Sequence, residues 1–389
     1  MTEGASLPRR SALTGLHRQL GAGMMEWNGM LVPSSYSDDI LSEYQAIRQK
    51  AGLTDMSGIR KIRVSGPDAG AFMDYCITRN TQAIPPGGAA YTALLNDAGK
   101  LIDDAITFRL DAPSSRLYAA GWLICTGGGS GLDMLMQTAR DPGNHFDVNL
   151  HVDDDLHCLM IQGPAAAGVI TSLFGDDTPA SYRKFGHGLA RLADTSVLVA
   201  RTSYSGEDGF EIFAYPDTAQ TIWNTLLRQH ADTVSPAGFT ALNIARIEAG
   251  LLFFGQDMTG QETPAELGLD FIVDAEKTDF RGRKNYLACH KSPRIMTMGV
   301  VLEDGPGFTA GDRLTANGTR ADAEQAGIIR SAVHSPWLDK TIGIAHISTA
   351  YAVTGSNLDV VPAGTASHSS GARVQVTSRR FIRQPVLPL

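Results

Sequence analysis

Hydrophobic and polar positions along this chain repeat with two different periods. Residues 40 to 52, ILSEYQAIRQKAG, place Ile40, Tyr44, Ile47 and Ala51 three or four apart, which predicts an amphipathic helix with Gly52 as its C-cap. LTGLHRQLGA, starting at Leu13, reads as an earlier helix, and TAQTIWNTLLRQH as a later one. KIRVSGPDAGAFMDYC changes period midway, so a strand is expected, then a turn, then a helix opened by Pro67 and Asp68. GGAAYTALLNDAGKLIDDAITFRL reads as a hairpin whose two strands meet at a turn from Asn96 to Lys100. Further strands are expected around CLMIQG and SVLVARTSY. The elements follow no regular βαβ rhythm, so the pattern predicts an α+β fold and not a doubly wound sheet.

The pattern changes near residue 290. KSPRIMTMGVVLEDGPG begins a series of short strands with glycine turns, continued by GIIRSAV, KTIGIAHI and ARVQVTSRRF. A small barrel or sandwich is the expected result. The anticipated division is an α+β body over 1–290 and a β-rich domain over 291–389.

Composition narrows the functional classes. The 389 residues are 43% hydrophobic and 19% charged, which suits globular domains with substantial cores. Lys and Arg total 33 against 41 Asp and Glu, a formal charge of −8, and no basic run suggests a nucleic-acid partner. Cys76, Cys125, Cys158 and Cys289 show neither CxxC nor zinc spacing, so free thiols in a reducing compartment and no metal site are expected. No stretch approaches roughly 20 consecutive apolar residues, so no membrane span is expected. The first residues carry arginines without a signal-type apolar run, and a cytoplasmic location is the default. TGGGSG at 126–131 lacks the context of a nucleotide loop and reads as a plain turn.

The candidate chemistry is acidic. In RTSYSGEDGFEIF, residues 201–213, Glu207 and Asp208 suit the tip of a glycine turn, while Glu211 lies between Phe210 and Ile212 in a strand that reads as half buried. An inward carboxylate is costly unless something donates to it. LLNDAGKLIDDAITF adds Asp103 and Asp104, and RIEAGLLFFGQDMTGQETPAELGLDFIVD adds Arg246 and Glu248. Strand alternation sends Asp103 to the face opposite Asp104, where it suits a surface or turn-stabilising role.

Taken together with TDMSG near 54 and DFRGRKNYL near 279, these stretches resemble the glycine-cleavage T-protein family, from about Leu13 to about Leu387. The resemblance implies a three-lobed cloverleaf with two intertwined α+β lobes, a C-terminal barrel-like domain and tetrahydrofolate in the central hole. It gives Glu211 the role of accepting the paired donor edge of the pterin, where a carboxylate can bind in bidentate fashion. Asp104 matches the catalytic aspartate beside N5. Tyr91, Tyr204, Met56 and Ile59 match positions bordering the folate or suit ordinary core packing, and Arg246 suits either an ion pair or a folate contact.

Departures from the family pattern shift the expected reaction. DMSGIR stands where T-proteins read DVSHMG, so glycine occupies position 58 in place of histidine. WNGMLVP at 27–33 is similar to tetrahydrofolate-dependent dimethylsulfoniopropionate demethylases. ALNIARIEAG stands in place of ARDxLRLEAG. The resemblance then implies transfer of a methyl group from a small sulfonium, ammonium or ether donor, with Trp27 and Tyr36 suited to binding it. Two alternatives are an aminomethyltransferase served by a lipoyl carrier protein and a non-catalytic folate-binding accessory protein. EAGLLFFGQD lacks the cysteine of the accessory branch.

Overall fold

The computed structural model describes residues 8–110, 121–175, 179–316, 324–364 and 371–382. The C-terminal end of the resemblance, from 383 on, lies outside the described residues. The chain forms three lobes, and a central cavity lies between the first two, reached also by the segment that follows the third. The first is a six-stranded sheet in the order His187–Leu192, Thr195–Ala200, Gly209–Ala214, His157–Gln162, Ala51–Asp55, Val234–Pro236. The second is a five-stranded sheet in the order Gly88–Leu95, Leu101–Arg109, Trp122–Thr126, Arg60–Ser65, Asn149–Val152. The chain leaves the first sheet at Asp55, builds the second, and returns at His157, so the two lobes are interleaved in sequence. The third is a closed barrel of six strands running from Ile295 to Thr377.

Local physics explains most of the elements. The helix Ile40–Gln49 buries Tyr44, Ala46 and Ile47, and Asp39 caps its start by accepting from the Ser42 amide. Gly52 is not its cap. The helix gives way at Lys50 directly to the strand Ala51–Asp55, and a Cβ at Gly52 would lie 2.6 Å from Ile47 Cγ1. The predicted hairpin is present as Gly88–Leu95 paired with Leu101–Arg109, Tyr91 opposite Ile106. The strand Gly209–Ala214 is buried at all six positions, not half buried, because it has a neighbour on each side and helices over one face.

Glu248 fixes the barrel to the body. Its carboxylate is fully buried and accepts from Arg48, from the Tyr44 hydroxyl at 2.9 Å and from Ser335 Oγ at 2.5 Å, so two helices and a barrel strand share one anion. Its backbone oxygen accepts from the Phe381 amide after the last barrel strand. Removing one partner of such a buried pair leaves an uncompensated charge. Glu248→Ala is expected to cost about 3 to 5 kcal/mol, read as a lower denaturant midpoint; a wild-type midpoint would deny it this role.

Candidate active site

The cavity between the lobes encloses about 1150 Å³ counted to its open mouth. Tyr91, Asp104 and Ile106 reach it from the five-stranded sheet, Met160 and Glu211 from the six-stranded sheet, and Phe253 from the loop after the helix Phe239–Glu248. Met56, Ile59, Tyr204 and Trp27 also line it. The walls are largely apolar and aromatic. Its charged groups are two carboxylates, Asp104 and Glu211, with Arg379 and Arg380.

Asp104, opposite Ala93, is a diagonal neighbour of Tyr91 on the same face of the hairpin, and the Tyr91 hydroxyl donates to Asp104 Oδ2 at 2.8 Å. Burial pushes the Asp104 carboxyl up to about 6, against the opposing pull of that hydroxyl. Asp103 points to the other face but is fully buried, which corrects the expectation of a surface acid. It stabilises the turn, accepting from the Gly131 amide at 3.1 Å and the Asp104 amide at 2.9 Å. That places it at the start of the helix Gly131–Arg140, where the exposed N–H groups favour an anion. Burial, then the Asp104 charge, raises Asp103 to about 7.

The TGGGSG segment is not a plain turn. It joins the strand Trp122–Thr126 to the helix Gly131–Arg140 and packs against the acids. A Cβ at Gly127 would lie 2.6 Å from Asp104 Oδ1, one at Gly131 2.7 Å from Asp103 Oδ2, and one at Gly129 2.1 Å from the Ile102 carbonyl. The glycines therefore let the backbone close over both aspartates. Their spacing was visible in the sequence, but the partner strand that requires it was not.

Glu211 lies beside Met160 and Ala200 in the middle of its sheet. Among the described residues its side-chain donor is Thr202 Oγ1, 2.7 Å from Oε2. Burial raises its carboxyl to about 7, and the Thr202 bond offsets this only in part. A buried carboxylate lining a cavity with one hydroxyl donor retains acceptor capacity for a ligand. Glu207 and Asp208 at the neighbouring turn are instead paired with Arg48 and Arg201 at 2.9 and 2.7 Å.

Two sequence expectations are corrected. Arg246 does not line the main cavity but edges a smaller hollow beside it: its guanidinium is 99% enclosed, with bonds to Asn243 Oδ1, the Leu251 carbonyl, Asp257, Gln256 Oε1 and Ser331 Oγ. All its donors are used in holding the 251–257 loop, so the ion-pair alternative stands. Tyr36 lies away from the cavity, its hydroxyl 2.9 Å from His17 Nδ1 and its ring stacked near Trp223. Its place in the apolar layer beneath the six-stranded sheet leaves it no access to a cavity ligand. Sequence reasoning missed Phe253, Phe271, Arg379 and Arg380 as lining residues. Only the path of the chain brings the segment after the last barrel strand back to the cavity, so no local signal marked the arginines. Among the described residues no group of three or more His, Cys, Asp or Glu could hold a metal ion, and no helix is long and apolar enough to cross a membrane.

Comparison with known proteins agrees with this architecture. The GCVT N-terminal domain family matches residues 13–277, and the glycine cleavage T-protein C-terminal barrel domain matches residues 296–381. The chain is 34% identical over 362 residues to the heme-dependent oxidative N-demethylase gamma subunit of Ectopseudomonas mendocina, covering 90% of this chain and 92% of that one. It is 32% identical over 361 residues to the aminomethyltransferase of Streptomyces avermitilis, again covering 90% and 92%. The crystal structure of the glycine cleavage system aminomethyltransferase T from Bartonella henselae superposes with a TM-score of 0.84 at 25% identity, covering 97% of this chain and 98% of that one. With its two α+β lobes, its closing barrel and the acids between them, this chain belongs to the glycine-cleavage T-protein family of transferases.

Proposed function

We propose that this protein transfers a methyl group from a small methylated nitrogen compound to N5 of tetrahydrofolate. The observation that carries the reading is one aromatic cavity holding two buried carboxylates in different settings. Glu211 has one hydroxyl donor and capacity for more, which suits the adjacent N–H and NH₂ donors of a pterin edge. Asp104 is tethered by the Tyr91 hydroxyl, which fixes the carboxylate's orientation. Glu211 would hold and orient the pterin, while Thr202 keeps the carboxylate in place. Asp104 accepts the proton that N5 loses as the new C–N bond forms, and the donor's own C–N bond breaks toward the departing amine. A quaternary ammonium donor needs no oxidant for this step. The relative named as the gamma subunit of a heme-dependent oxidative N-demethylase supports nitrogen as the atom that gives up carbon, although its own demethylation is oxidative by name and the step proposed here is not.

The second reading is aminomethyl transfer from a lipoyl carrier protein, with ammonia released and methylene-tetrahydrofolate formed. The relative and the crystal structure named as aminomethyltransferases favour it. Mass spectrometry of the folate product separates the two. The protein is incubated anaerobically with tetrahydrofolate and either methylated ammonium compounds or aminomethylated lipoyl carrier. Methyl-tetrahydrofolate from the first set is the expected result. Methylene-tetrahydrofolate from the carrier alone would replace the first reading with the second, and no product from either would overturn both donor readings.

A further inference from the structure

Trp27 occupies a slot that the rest of the chain is shaped to receive. It closes the strand Gly23–Trp27, and Asn28 and Gly29 turn the chain at φ 51° and 71° into the strand Met30–Ser35, with Trp27 opposite Met30. An Asn-Gly pair with positive φ at both positions is the sequence of a tight two-residue hairpin, so the last residue before it is held firmly. The turn is anchored from outside: Asn28 Nδ2 donates to the Gly58 carbonyl at 3.0 Å, and the Arg9 amide donates to the Gly29 carbonyl at 2.8 Å.

The indole lies against Gly58. A Cβ there would be 2.6 Å from Trp27 Cε3 and 3.1 Å from Cζ3, closer than packed atoms allow. On another edge, a Cβ at Gly128 would be 4.0 Å from Trp27 Nε1, and the adjacent Gly127 is the residue that abuts Asp104. The ring packs against Phe239 at 4.8 Å and Phe253 at 6.0 Å between centroids. Phe253 is itself held, its amide donating to Asp257 at 2.9 Å, and Asp257 is gripped by Arg246. Behind this aromatic wall lies a second hollow lined by Met25, Phe239, Asn243 and Gln256, which shares Tyr204 and Phe253 with the main cavity.

We infer that Trp27, seated on Gly58, is a specificity-determining residue that limits the donor to a compact methylated ammonium ion and closes the cavity to donors bearing a long chain. The inference rests on the proposed folate-dependent transfer. Two observations carry it. The indole forms a wall of the cavity beside the loop that abuts Asp104, so it bounds the space next to the carboxylate that accepts the N5 proton. That wall is aromatic on several sides, with Trp27, Phe253 and Tyr204 offering ring faces and edges within one cavity, which suits a small, weakly hydrated cation. Gly58 and Trp27 thus act as one unit. A side chain at 58 and an indole at 27 cannot share the same volume.

The test uses the full-length protein loaded with tetrahydrofolate, and calorimetric titration with tetramethylammonium and with trimethylammonium compounds carrying butyl or octyl chains. Folate affinity is measured first. If tetrahydrofolate does not bind the wild type, the parent reading is overturned and the filter falls with it. Given folate binding, the wild type is expected to bind tetramethylammonium and to reject the octyl compound. Trp27→Ala should admit the octyl compound and bind tetramethylammonium about 2- to 30-fold more weakly, the loss of one cation–π face. Gly58→Ala should resemble Trp27→Ala, and the double variant should be no worse than either single one. Should Gly58→Ala fail to fold, Trp27→Phe supplies an intermediate size profile. An unchanged profile in Trp27→Ala, or additive effects in the double variant, would overturn the filter while the folate reading remained.

Discussion

Turnover in Asp104→Asn is expected to fall about 10²- to 10⁴-fold, the usual contribution of a positioned proton acceptor, while tetrahydrofolate still binds. Asparagine has nearly the shape of aspartate and can still accept from the Tyr91 hydroxyl, so the site should keep its geometry and lose its base. The pH dependence gives a second check. Burial raises Asp104 to about 6, so the acceptor is largely protonated below that pH and the wild-type rate should fall toward acid. At saturating tetrahydrofolate, where the binding dependence on Glu211 no longer limits the rate, the variant's residual rate should lack that acid limb. Asp103 and Asp104 raise one another's cost of ionisation, so the limb belongs to the pair and not to one residue. Rates are followed by quantifying folate product over time. Wild-type turnover in Asp104→Asn would remove this aspartate from the mechanism.

Glu211→Ala should weaken tetrahydrofolate binding by about 3 to 6 kcal/mol, or roughly 10²- to 10⁴-fold, as two hydrogen bonds to a charged acceptor are lost. Burial raises the Glu211 carboxyl to about 7 in the free protein. The pterin edge presents donors and needs the ionised form. Folate affinity should therefore weaken as pH falls below about 7, by up to tenfold per pH unit, and this dependence should vanish in Glu211→Ala. Titration calorimetry across that range measures both. An unchanged dissociation constant in the variant would count against the pterin assignment. The same shift acts on stability with the opposite preference. Because the folded protein holds the Glu211 proton more tightly than the unfolded chain, this group's stabilisation is full below about pH 4.5 and is lost as pH rises through about 7. The ligand-free protein should accordingly gain in Tm from Glu211→Gln more at pH 8 than at pH 5.

The sequence by itself determined the local elements and the kind of chemistry. Apolar spacing at Ile40, Tyr44 and Ile47 marks a helix because the 3.6-residue period puts those side chains on one face wherever that face is buried. The Asp103–Asp104 pair could be assigned to opposite faces for the same reason, and the inward Glu211 raised the question of its donor. Tertiary structure decided what alternation cannot encode. Burial of Asp103 depends on the helix Gly131–Arg140 packing over it, and the loss of Arg246 from the cavity depends on Asp257 and Ser331 arriving from the following loop and a barrel strand. The need for glycine at 58, 127 and 129 comes from backbone and side chains distant in sequence, above all Trp27, Asp104 and Ile102. Local pattern sets which way a side chain points. Only the assembled lobes determine what it meets, because the volume and the compensating donors at that point belong to other parts of the chain.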